Sequence, residues 1–98
     1  MHPHLDYRLR ARLRLRHLEL LDALGDTLNV HHTAPRLNLS QPATSKLLQE
    51  TERIYGTALF ERQSRGLRAT AAGEVAIRWA RLLLHQMGES VAEVHQVA

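Results

Sequence analysis

The sequence predicts a mainly α chain: three helices and a two-stranded hairpin, closed by one long helix. Three observations predict it. Leu18, Leu20, Leu21, Ala23 and Leu24 recur at helical spacing early in the chain. Ser40 and Pro42 carry a helix start signal ahead of a second amphipathic stretch. From Thr70 onward, Gly73, Ile77, Ala80, Leu84, Met87, Val91, Val94 and Ala98 alternate steps of four and three to the last residue. Ninety-eight residues suffice for one small domain with an added element.

Composition narrows the function classes. A hydrophobic content of 44% is that of a globular chain, and no apolar run approaches the ~20 residues of a membrane span. The charged N-terminus lacks the hydrophobic stretch of a secretory signal, so a cytoplasmic location is expected. Cysteine is absent, which excludes disulfide scaffolds and thiolate metal sites. The net charge is only +3, yet twelve of the thirteen basic residues are arginine, the side chain suited to phosphate and to narrow minor grooves.

The elements follow in order. Residues 1–14 read as a basic arm in which Arg8, Arg10, Arg12 and Arg14 alternate with apolar residues; it could touch a phosphate backbone, a loose extension being the plainer reading. The first helix is expected from about Leu15 to Gly25–Thr27, with Leu28 and Val30 as core plugs after it. Thr33 is expected to cap a short second helix with Ala34 and Pro35 in its first turn, and Leu37 and Leu39 facing inward. A third helix opens at Ser40 and ends at Gly56, with Thr44, Leu48, Thr51 and Tyr55 turned to the core. Two short helices joined by a tight turn make a helix-turn-helix.

Ala58–Phe60 and Leu67–Ala69 read as extended runs joined by Gln63-Ser64-Arg65-Gly66, where Gly66 can take positive φ. This small wing carries Arg62, Arg65 and Arg68 against one acid, Glu61. Thr70 caps the closing helix. Its seam suggests homodimerisation through Ile77, Ala80, Leu84, Met87, Val91 and Val94, while Trp79, Leu82 and Leu83 lie off the seam, with Trp79 expected to dock on the first helix or a further domain.

Gln41, Ser45, Lys46 and Gln49 stand on the outer flanks of the third helix, with no acid before Glu50. Amide, hydroxyl and ammonium groups near a helix N-terminus suit base edges and phosphates, so this is expected to be a recognition helix for double-stranded DNA. An arginine at a hairpin tip suits the adjoining minor groove. The expected contact set is Ser40, Gln41, Pro42, Ser45, Lys46, Gln49, Arg62, Arg65 and Arg68.

From about Leu15 onward the chain closely resembles the N-terminal DNA-binding region of LysR-type transcriptional regulators. The resemblance is carried by SQPA at Ser40–Ala43, LFER at Leu59–Arg62, and RGLRAT followed by AGE across Arg65–Glu74. It implies a winged helix-turn-helix over residues 15–70 and a dimerising linker helix over 71–98. It also implies antiparallel pairing of linker helices, with a tetramer as the further option in a full-length form, and binding to interrupted inverted repeats in bacterial promoters. By position, Gln41, Pro42, Ser45 and Lys46 match residues that enter the major groove, and Arg65 the wing residue directed at the minor groove. Thr44 and Thr51 stand where the family usually has larger aliphatic residues. Pro35 and His31-His32 also depart from the pattern. The small-molecule effector of such regulators belongs to a C-terminal domain, so this chain is expected to be the DNA-binding unit.

Other chemistry is poorly supported. Seven histidines invite a metal reading, but His31 and His32 are adjacent and point apart, and His85 and His95 lie ten residues apart. No cofactor or metal is expected. No phosphate loop, nucleophile elbow or paired carboxylates occur, so no catalytic residue is assigned. The competing reading is a protein-interaction or antirepressor module assembled through the last helix without DNA contact.

Overall fold

The computed structural model describes residues 12–98, so most of the arm assigned to residues 1–14 lies outside the described residues. The order is α1 (Leu15–Thr27), α2 (Val30–Arg36), α3 (Gln41–Tyr55), strands β1 (Phe60–Arg62) and β2 (Leu67–Ala69), and α4 (Ala71–Val97). The chain is thus mainly helical with a two-stranded antiparallel wing, as the spacing predicts.

Helix α1 is the buried centre. Leu20, Leu21 and Leu24 have no exposed surface. Against them stand Ala76, Ile77 and Ala80 of α4, Leu47 of α3, and Leu59 and Phe60 at the base of the wing. Each fully buried leucine contributes about 1.5–3 kcal/mol, more than a typical neutral hydrogen bond at about 0.5–1.5 kcal/mol. Arg81 of α4 adds exposed ion pairs to Asp22 (3.0 Å) and Asp26 (2.6 Å) of α1.

A polar clamp joins α1 to α3. The backbone N–H of Arg14 donates to Nδ1 of His17 at 2.8 Å. With Nδ1 accepting, Nε2 is the donor, and it reaches Oε2 of Glu50 on α3 at 2.6 Å. His17 is 1% exposed, so both ring nitrogens of a buried side chain are satisfied. The His17 hydrogen bond holds the Glu50 carboxyl below its ordinary value, with Arg16 and Arg53 adding to the effect and partial burial opposing it.

The connection after α1 differs from expectation. Leu28 is no core plug: it is 36% exposed, in the left-handed region at φ 51°. Its contribution is its backbone, whose carbonyl accepts from Leu67 N–H of the wing at 2.8 Å. Val30, the other expected plug, is partly buried in the first turn of α2. That helix starts at Val30, not after Thr33, because Asn29 is the cap, its side chain accepting from His32 N–H at 2.9 Å. Thr33 lies inside, fully buried, its hydroxyl 2.6 Å from that of Thr27. Pro35 therefore falls in the last turn, where its missing N–H leaves only the carbonyl of exposed His31 without a partner in the helix. Asn38 at φ 56° then reverses the chain, and Leu39 N–H closes on the Ala34 carbonyl at 3.0 Å.

Helix α3 begins as its sequence predicts. The Ser40 side chain accepts from Ala43 N–H at 3.2 Å, and Pro42 sits in the first turn. Its buried face is Thr44, Leu47, Thr51 and Ile54, one step round from the expected Leu48 and Tyr55; Leu48 is only partly buried and Tyr55 is exposed. Both 3- and 4-residue steps keep a helical face, and the position of α1 selects Leu47. The buried hydroxyls of Thr44 and Thr51 donate to the carbonyls of Ser40 (2.9 Å) and Leu47 (2.7 Å).

In the wing, Phe60 pairs with Ala69, Glu61 with Arg68 and Arg62 with Leu67. The first strand starts two residues later than expected: the Leu59 and Phe60 N–H groups are taken by the Glu52 carboxylate of α3 (2.7 and 3.2 Å). Thr70 bonds the Ala58 and Leu59 carbonyls through its hydroxyl (2.9 Å) and its N–H (3.0 Å). Gly66 takes φ 75°, and a Cβ there would run into the Leu28 carbonyl. Thr70 also caps α4, accepting from Gly73 N–H at 2.9 Å. At Gly73 the helix approaches the Leu59 carbonyl so closely that no side chain fits.

The seam of α4 is divided. Gly73, Ile77 and Ala80 are buried within their own chain against α1 and the wing base, which removes Ile77 and Ala80 from the expected dimer surface. Leu84 is partly buried on the same core. Met87, Val91 and Val94 are exposed. Trp79 does not dock on α1: it is 51% exposed beside an apolar cleft of about 380 Å³ shared with Tyr55 and Val75.

A carboxylate whose folded pKa is depressed contributes stability that is present above its ordinary value, 4.5 for Glu50, and lost as pH falls through the folded value. Glu50→Gln keeps an acceptor for His17 but has nothing to protonate. The wild-type advantage in melting temperature over Glu50→Gln is expected at neutral pH and to shrink in acid below 4.5. Melts followed by circular dichroism check this, and parallel pH profiles would remove the linkage.

Candidate nucleic-acid interface

Three elements converge beside the N-terminus of α3. Ser40, Gln41, Pro42, Lys46 and Gln49 are exposed there, and Ser45 is partly buried. The first turn holds no acid, so beyond the Ser40 cap on Ala43 no carboxylate offsets the partial positive charge of the helix N-terminus. The first acid of the helix, Glu50, is drawn to the other flank by His17. Ser40 is held by its capping bond, so its hydroxyl organises the turn before it can do anything else.

The wing stands next to this tip. Arg62, Arg65 and Arg68 are all exposed, with Arg65 in the hairpin turn. Arg68 is engaged with Glu61 across the strand pair at 2.7 Å, between two exposed side chains. Among the described residues no carboxylate pairs with Lys46, Arg62 or Arg65. Arg62 and Gln41 line one cleft of about 290 Å³, together with Asn29, Val30 and Gly66. Of the sequence-derived residues, Gln41 of the helix and Arg62 of the wing are thereby brought to one cleft. Such a surface offers amide, ammonium and guanidinium donors to phosphate oxygens and base edges.

Two further exposed side chains adjoin the candidate set. His31 places Nδ1 3.3 Å from Oε1 of Gln41. Arg53 is exposed on the stripe that Lys46 and Gln49 continue, and its spacing from Gln49 is the signal that would have found it. Among the described residues no group of three or more His, Asp or Glu is placed to hold a metal, and no helix is long and apolar enough to cross a membrane.

Residues 15–74 match the family described as bacterial regulatory helix-turn-helix protein, lysR family. Among curated proteins the chain is 44% identical over 89 residues to the HTH-type transcriptional regulator GbpR of Azospirillum brasilense, covering 91% of this chain and 26% of that protein. The chain spans about a quarter of the length of the curated relatives it matches. Among solved structures it resembles a CbnR_DBD–DNA complex (TM-score 0.81, 32% identity, covering 87% of this chain and 98% of that one). It also resembles a BenM_DBD/benA site 1 DNA complex (TM-score 0.82, 28% identity, covering 87% and 96%). By its helices, its wing and the match over residues 15–74, the chain belongs to the lysR family of bacterial regulatory helix-turn-helix proteins.

Proposed function

We propose that the chain binds double-stranded DNA sequence-specifically, as a dimer, within a bacterial transcriptional regulator of the cytoplasm. The observation that carries the reading is the shared cleft between the acid-free tip of α3 and the arginine-bearing wing. A major groove about 12 Å wide admits an α-helix, and with α3 seated there the wing falls toward the adjoining minor groove. Gln41 and Lys46 read base edges, Pro42 and Ser45 shape the approach, and Ser40 and Gln49 flank it. Arg62 and Arg68 contact phosphates, and Arg65 samples the minor groove. The DNA named in the CbnR and BenM complexes supports the DNA-binding reading.

Pairing is assigned to the outer half of α4. Trp79, Leu82, Leu83, Met87, Val91 and Val94 are each more than two-fifths exposed, a patch that water disfavours. A second copy of the same helix, laid antiparallel, covers it and sets two reading tips on one face, as an inverted repeat requires.

Gln41→Ala and Lys46→Ala are each expected to weaken binding to a selected operator by ~1–3 kcal/mol per lost base contact, with little change on random duplex. Full operator affinity in both variants would remove these roles. Arg65→Ala is expected to lower affinity across sequences and to reduce the salt slope by about one unit. An unchanged slope would leave the wing in solvent. Val91→Lys is expected to sediment as a monomer at concentrations where the parent chain is dimeric; a persistent dimer would move the interface elsewhere.

A further inference from the structure

We infer that His31 is a positioning residue for base reading: it sets the rotation of the Gln41 side-chain amide, and with it a preference for adenine at one operator position. The inference rests on the DNA-reading role proposed above. Gln41 occupies the first position of α3, and His31 lies in the first turn of α2, Nδ1 to Oε1 at 3.3 Å. An amide oxygen only accepts, so Nδ1 carries the proton in this contact.

The terminal torsion of a glutamine is broad and nearly two-fold, so an unsupported amide offers a duplex its oxygen or its nitrogen about equally. Adenine presents an N6 donor and an N7 acceptor in the major groove, which demands oxygen and nitrogen in fixed order; guanine presents two acceptors. With one lone pair of Oε1 held by His31, the second lone pair and both Nε2 hydrogens stay free. That is the complement of adenine, oriented before the duplex arrives, so less rotational freedom is lost on binding.

His31 is itself held. Asn29 caps the start of α2 through His32 N–H at 2.9 Å, and buried Thr33 is tied to Thr27, so the backbone beneath the imidazole has little play. The His32 ring lies beside it, centroids 5.6 Å apart and tilted by 52°. The role is specific to an imidazole or to a side chain with a donor in the same place. Asparagine supplies one, since its amide nitrogen sits where Nδ1 does.

The test starts from duplexes selected from a random pool by the wild-type chain. At the position lost in Gln41→Ala, His31→Ala is expected to reduce discrimination of adenine over guanine by about fivefold, the effect of one ordinary hydrogen bond. His31→Asn restores it, random-duplex affinity and salt slope stay unchanged, and His31→Ala has no added effect in Gln41→Ala. Retained discrimination in His31→Ala, a uniform loss on every duplex, or an undiminished effect in the Gln41→Ala background would each overturn the inference while leaving DNA reading intact. A wild-type chain that enriches no sequence would sink both, and the two failures are thus separable. Equal melting curves for the His31 variants exclude loss of fold as the cause.

Discussion

The wing has strands of three residues each, and a two-stranded hairpin of that size has no independent stability. It stands only because its backbone is fastened at three places to the helical body. The Leu28 carbonyl takes Leu67 N–H. The Glu52 carboxylate of α3 accepts from both Leu59 N–H (2.7 Å) and Phe60 N–H (3.2 Å), a charge-assisted pair of bonds. Thr70 closes the far end on the Ala58 and Leu59 carbonyls. Because Glu52 belongs to α3 and Leu28 ends α1, the hairpin is registered against both helices, and Arg62 comes to share a cleft with Gln41. The left-handed Leu28 costs roughly 1–2 kcal/mol for a residue with a side chain, and the bond to Leu67 offsets part of it. Gly66 completes the fit by bringing no Cβ to the Leu28 carbonyl.

What could be read from the sequence divides along the range of the interaction. The caps at Ser40 and Thr70 and the turn at Gly66 are legible because each is local: a hydroxyl and an N–H three residues on, or a backbone needing positive φ. The aliphatic row of α1 is legible because leucines at helical spacing have no other use. The start of α2 is not legible, because the rule that puts proline early in a helix is strong and points past Thr33. In a helix of only seven residues the proline can sit near the end at small cost, and Asn29, an equally good cap, decides. The candidate contact residues of α3 and the wing are legible in the sequence only as residue types. That Gln41 and Arg62 share a cleft depends on the bonds from Leu28 and Glu52, which no spacing reveals. His17 belongs to the same class: its partner Glu50 is thirty-three residues away, and an isolated histidine among arginines reads as surface.

The heptad pattern of α4 shows a further limit. Alternating steps of four and three describe a helical face and say nothing of what covers it. The first half, through Ile77 and Ala80, is covered by α1 of the same chain, and the second half, from Met87 on, is not. One unbroken helix thus carries an intramolecular core at one end and an uncovered apolar strip at the other. That division has a mechanical consequence for a paired molecule. The inner half is fixed to α1 by close packing and by Arg81 to Asp22 and Asp26, and α1 is clamped to the recognition helix by His17 and Glu50. A partner seated on Met87, Val91 and Val94 is therefore joined to the tip of α3 through rigid contacts at every step. Within such a pair the separation of the two tips is set by the register of the helices, since no loop intervenes between them. A shift of one heptad along α4 moves a tip by about 10 Å at 1.5 Å per residue, roughly three base-pair steps. The strip must then match its partner in register as well as in hydrophobicity, and side chains of unequal size such as Trp79, Met87 and Val91 discriminate between registers where a uniform row of leucines would not.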